Sequence, residues 1–228
     1  MKHLTIECID YTHALLKVIP RKYLKSFKSD LMGGTPPPES SSHVSRIFYC
    51  MSKFINLHYL MLPNIPNYID SREVIISAMQ TFQHIQELHI SCNSINPVML
   101  YNIFLNLNCN IKKIRFFNTY INKKCLDALN TCPCFKMLKI LQFNLVADLQ
   151  ENFTTLLELL LGKVKTLEEL SLMLNDLSME QHTTLCNIYS HIENITILRI
   201  AEPELEFERG FQELLCKVDQ IQNKFKLS

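Results

Sequence analysis

The sequence predicts an α/β solenoid, with parallel strands on a concave face and helices on a convex face. Three observations carry that prediction. An apolar pattern, L-x-x-L-x-L with Ile or Phe in some slots, starts at 57, 85, 111, 138, 167 and 195. Successive starts are 26 to 29 residues apart. The remainder of each period carries helix-start signals or helical apolar spacing. One short apolar stretch cannot bury itself, so stacked copies cover each other and the core runs along the stack.

The first fifty-odd residues fit the pattern least. Leu4 with Ile6 reads as one strand and Leu24 with Phe27 as another, giving degenerate repeats over 1–55. Between them and the regular region, about 32–43 holds two of the four glycines, three of the nine prolines and a serine run, the composition of a flexible insertion. Met1 stands almost directly in a strand with no polar cap before it. Exposed terminal repeats normally need one, so another domain or subunit is expected to cover that end, or the chain derives from a longer one.

Regular repeats are expected over 56–206. Leu57, Leu60, Leu62 and an early Ile65 open them, and Arg72 to Phe82 reads as the first helix. Ile85, Leu88, Ile90, Asn93 and Ile95 follow, and Asn96-Pro97 then gives an N-cap with proline at the first helical position. Ile111, Ile114, Phe116 and Ile121 make the next copy, with Thr119 in the Asn slot, before a helix over Lys123 to Leu129. Leu138, Leu141 and Phe143 match the first half only, with Val146 in the Asn slot, and Leu149 to Leu161 reads as helix. Leu167, Leu170, Leu172, Asn175 and Leu177 match in full, and Ser178-Met179-Glu180-Gln181 is a capping box. Ile195, Leu198, Ile200 and Leu205 form the last copy, with Pro203 in the Asn slot. A capping helix over 207–228 should close the stack, led by Glu202, Glu204, Glu206 and Glu208 near its N-terminal end. Strands are expected near 57–62, 85–90, 111–116, 138–143, 167–172 and 195–200.

A period of 26–29 residues accommodates a strand and a full helix. These residues resemble the ribonuclease-inhibitor-like class of leucine-rich repeats, which includes the repeat regions of NOD-like receptors and of F-box substrate adaptors. The resemblance covers about 56–207. It implies a leucine-rich repeat solenoid, a horseshoe whose inner wall binds protein. Asn93 and Asn175 keep the family's usual residue; Thr119, Val146 and Pro203 depart from it, which leaves those turns less regular.

Composition narrows the function. With 23 Lys+Arg against 22 Asp+Glu the net charge is +1, so no overall field holds nucleic acid. Nine cysteines, an odd and scattered set, do not form a small secreted disulfide framework. The N-terminus has no signal-peptide apolar core, and the strongest apolar run, Leu156 to Leu161, is short and broken by Glu158. These features predict an intracellular, cytoplasmic or nuclear protein with no membrane span.

Chemical motifs are sparse. Cys125, Cys132 and Cys134 are the densest thiol cluster, but C-x-C is not zinc-ligand spacing, and buried structural thiols are expected instead. The eight histidines form no metal motif, and neither a nucleophile elbow nor a phosphate loop is present. No cofactor, metal or catalysis is expected. Lys112, Lys113, Arg115, Lys123 and Lys124 surround Phe116, Phe117 and Tyr120, a combination nucleic-acid binders use for phosphates and bases. The repeat phase takes Phe116 inward and the cations to solvent, which sets nucleic acid aside.

Within each copy, positions 4 and 6 point inward, so alternation sends 3, 5 and 7 to the concave side. The partner-binding candidates there are Tyr59, Met61, His89, Lys113, Arg115, Phe117, Gln142, Met173 and Arg199. Arg, Met and aromatic residues at positions the core does not need are the composition of a protein interface. The expected function is a non-enzymatic interaction module binding a partner protein. The resemblance implies substrate recruitment to a ubiquitin ligase, or alternatively a ligand-sensing or signalling fragment like the repeat region of a NOD-like receptor.

Overall fold

A computed structural model describes residues 3–6, 16–20, 24–29, 40–54, 56–62, 72–91, 97–117, 119–144, 151–163, 165–173, 178–189 and 197–201. Eight strands lie in one sheet: β1 (His3–Ile6), β2 (Ser26–Ser29), β3 (Tyr59–Leu62), β4 (Glu87–Ser91), β5 (Lys113–Phe117), β6 (Ile140–Asn144), β7 (Glu169–Met173) and β8 (Ile197–Ala201). Their order in the sheet is their order in the chain. Every neighbouring pair is parallel. The longer helices among the described residues are α1 (Ser40–Met51), α2 (Arg72–Thr81), α3 (Pro97–Asn106), α4 (Lys123–Thr131), α5 (Phe153–Lys163) and α6 (Met179–Tyr189). Each packs on the next, forming a second layer. The result is an open α/β sheet with a solenoid-like progression.

The strands begin two residues later than the apolar pattern, at position 3, and there is a physical reason. Positions 1 and 4 are an odd number apart, so a continuous strand would send them to opposite faces. Both are nevertheless fully buried: Ile85 with Leu88, Ile111 with Ile114, Leu138 with Leu141, Leu167 with Leu170. The chain turns between them. At the five junctions from β2 to β7 the carbonyl of position 2 accepts two successive N–H groups from the following copy. His58 O accepts from Gln86 N at 2.8 Å and Glu87 N at 3.0 Å, and Lys112 O accepts from Lys139 N at 2.8 Å and Ile140 N at 3.0 Å. Gln86 O and Lys139 O are used in the same way. So is Lys25 O, which accepts from His58 and Tyr59, so the early Leu24–Phe27 copy has the geometry of the regular ones. Leu4, Phe27 and Leu60 share one register line.

The core lies between sheet and helices as one cluster. At position 6, Phe116 and Phe143 stack with centroids 5.0 Å apart, and Phe104 from α3 meets Phe116 and Phe135 edge-on at 6.2 and 5.2 Å. Polar ties also link successive copies. Thr119, buried in the Asn slot, places its hydroxyl 2.9 Å from Phe117 O and 3.2 Å from Ile90 O of the preceding strand. A threonine therefore serves the turn between β5 and α4.

Helix starts follow the sequence signals. Asn122 caps α4 by accepting from Cys125 N at 3.0 Å. Ser178 and Gln181 exchange hydrogen bonds ahead of α6, at 2.9 and 3.2 Å. Two boundaries need correction. Helix α1 starts at Ser40, so residues 40–43 belong to it and not to the insertion. Helix α5 starts at Phe153 rather than Leu149. Residues 32–39, Ile65, Asn93, Asn96, Val146, Asn175, the acidic stretch and the expected helix over 207–228 lie outside the described residues.

Candidate functional site: the open face of the sheet

Strand alternation puts the inward residues of β3 to β7 on the helices and leaves three rows on the other face. One row runs Tyr59, Glu87, Lys113, Ile140, Glu169; the next Met61, His89, Arg115, Gln142, Ser171; the third Ser91, Phe117, Asn144, Met173. Adjacent members of a row are one strand spacing apart, about 4.8 Å, a spacing within reach of side-chain contact.

A hydrogen-bonded chain occupies the β3–β5 part. Tyr59 Oη lies 2.9 Å from His89 Nδ1, and His89 Nε2 lies 2.9 Å from Glu87 Oε1. Lys113 Nζ sits 3.1 Å from the same carboxylate oxygen. The hydrogen bond from His89 is the main cause that holds the Glu87 carboxyl down at about 2; burial opposes it, and Lys113 adds a hydrogen bond and charge. An ionised carboxylate only accepts, so His89 donates from Nε2; in the neutral ring Nδ1 is then the acceptor for the Tyr59 hydroxyl. The Tyr59 and His89 rings meet edge-on at 4.7 Å. These bonds fix the orientation of four side chains. On the β6–β7 part, Gln142 donates to Glu169 through its side-chain amide, and Ser171 Oγ lies 3.5 Å from Asn144 Oδ1.

Arg115 stands between these groups, opposite His89 on one side and Gln142 on the other. Its Nε is buried and has no hydrogen-bond partner among the described residues. Phe117, two residues along the same strand, is 46% exposed, and register sets it opposite Ser91 and Asn144.

The structure thus brings Tyr59, Met61, His89, Lys113, Arg115, Phe117 and Gln142 onto one face. Met61 and Gln142 are only 7% exposed there, so the expectation that they offer contact surface is corrected. Register sets His89 beside Met61, and Arg115 and Ser171 on either side of Gln142. Ser171 is equally buried. Register places Met173 opposite Asn144 and Arg199 opposite Ser171; their side chains lie outside the described set. Glu87 and Glu169 were not among the candidates. Their position 3 slots, beside Lys113 and Ile140 respectively, are the available signal.

The cationic cluster divides. Lys113 and Arg115 belong to the open face, Lys123 and Lys124 begin α4, and Phe116 is fully buried. Among the described residues no continuous stripe of cations and stacking rings results. The thiols of Cys109, Cys125 and Cys134 are pushed up to about 12 by burial, and Cys132 is raised for the same reason. Cys125 Sγ donates to Pro97 O at 3.2 Å, a structural tie between copies. No group of three or more His, Cys, Asp or Glu converges to hold a metal ion among the described residues. No described helix is long and apolar enough to cross a membrane.

No known protein family and no curated protein matches the chain.

Proposed function

We propose that the chain is a leucine-rich repeat protein of the ribonuclease-inhibitor-like class, and that it works as a non-enzymatic interaction module. The open side of the sheet is its concave binding wall, and the ligand is another protein. The carrying observation is the pairing of a half-exposed aromatic ring, Phe117, with a side-chain lattice already locked by hydrogen bonds. Locked side chains lose little freedom on binding, and a large ring beside them supplies contact area.

The test is affinity for an isolated protein partner. Phe117→Ala and Arg115→Ala should each weaken binding by at least about 1 kcal/mol. The exposed Lys124 and Lys136, away from this face, supply control substitutions to Ala and should be near neutral. Circular dichroism checks that each variant is folded. Normal binding by the first pair with loss in the second would place the interface on the other side of the molecule.

A further inference from the structure

We infer that the partner is acidic where it meets this face: it presents a carboxylate to Arg115 and an apolar side chain to Phe117. This rests on the reading of the open face as a protein-binding wall. The argument starts from what surrounds the guanidinium. His89 is committed to Tyr59 and Glu87, Lys113 to Glu87, and the Gln142 amide to Glu169. Both carboxylates of the neighbouring row are therefore engaged elsewhere. Arg115 forms no ion pair among the described residues, and its Nε is buried without an acceptor. A dry, charged donor with no acceptor is a standing cost to the free protein. The buried Nε is closed to a ligand, so an incoming carboxylate meets the half-buried guanidinium at its two terminal nitrogens, whose fork it matches bidentately, and neutralises a cation that has no ion pair among the described residues.

The same surroundings limit the charge of the ligand. In the neighbouring row Glu87 lies on the strand next to that of Arg115, and Glu169 lies two strands away on the other side, beyond Ile140. One unpaired cation with an engaged carboxylate on the next strand suits a single negative charge. A phosphodiester chain would bring repeated charge against Glu87 and Glu169. Phe117 leaves the strand two residues beyond Arg115 on the same side, about 7 Å away. An extended segment with an acid and an apolar residue two positions apart spans that distance. The predicted ligand is thus a short acidic segment with an adjacent aliphatic or aromatic side chain.

Displayed random peptides of about 12 residues provide the probe. They are selected on the wild-type chain, and the winners are measured by fluorescence anisotropy. Enriched peptides should carry Asp or Glu two positions from an apolar residue. Arg115→Ala should weaken them roughly tenfold or more, and Arg115→Lys should restore only part of the loss, because the fork is gone. Changing the peptide's acid to its amide should weaken binding to wild type but add nothing in Arg115→Ala. Peptides that need Phe117 but carry no acid and ignore Arg115 would overturn this inference and leave the binding wall standing. Peptides indifferent to both residues, an empty selection, or single-stranded RNA that binds better than every peptide would overturn both.

Discussion

At Glu87 one carboxylate takes a hydrogen bond from His89 and a salt bridge from Lys113, and this links the open face to pH. Its carboxyl is depressed from an ordinary 4.5 to about 2. A depressed folded value means stability that is fully present above about 4.5 and is lost as pH falls toward 2. With the side chain 29% exposed, solvent screening leaves a contribution on the order of 2 kcal/mol. Urea titrations of wild type and Glu87→Gln should therefore converge as pH drops through that window, wild type losing more. Parallel losses in the two proteins would mean that the pair contributes nothing. Lys163 is a second residue with an unexpected role. A lysine at the end of a helix reads as a solvated cation, yet this one is 5% exposed. Its Nζ donates to Asn130 O at 3.3 Å and Phe135 O at 3.1 Å, tying α5 to the end of α4, and burial pushes its pKa down. Lys163→Met keeps the stem and removes the donors, and should cost about 1–3 kcal/mol in a denaturant titration. No change would mean that water already satisfies both carbonyls. The outward phase of Arg115 and Phe117 was legible from alternation alone. The burial of Met61, Gln142, Ser171 and Lys163 was not, because periodicity gives a side chain's direction and not the size of its neighbours in the next copy.

The strands and helices were legible where apolar spacing was strong. Helix α1 was missed although Val44, Ile47, Phe48 and Met51 have helical spacing, because the glycines and prolines before it and the serines of its own first turn marked about 32–43 as loop. Ile47, Phe48 and Met51 are fully buried, so packing settles the helix. The two-residue shift of each strand was hidden for another reason. The pattern counts buried positions, and position 1 is buried from a turn. Strand β7 tests the inward and outward phases. Leu170 is fully buried in the core, and Leu170→Ala should cost about 2–5 kcal/mol. Ser171 is outward but crowded, with a long hydrogen bond to Asn144, so Ser171→Ala should cost no more than about 1 kcal/mol. Equal losses would show that the phases are misassigned.

Across the whole molecule, one period sets both the core and the wall. A shift of any strand by a single residue would exchange its core side chains for its open-face ones, and the shared position 2 carbonyls oppose that shift at successive junctions. The register line from Leu4 through Phe27 and Leu60 carries this order into the first two strands, across the stretch whose composition interrupts the repeat. The central claim is that the open face is the side on which a partner protein docks. Site-specific photo-crosslinking tests it most directly. A benzophenone side chain replaces Phe117, 46% exposed on the open face, or Met137, 53% exposed after the Pro133–Phe135 turn. Each protein is irradiated with the same isolated partner. A discrete adduct from position 117 and none from position 137 is the predicted result; an adduct from 137 with none from 117 would contradict the claim.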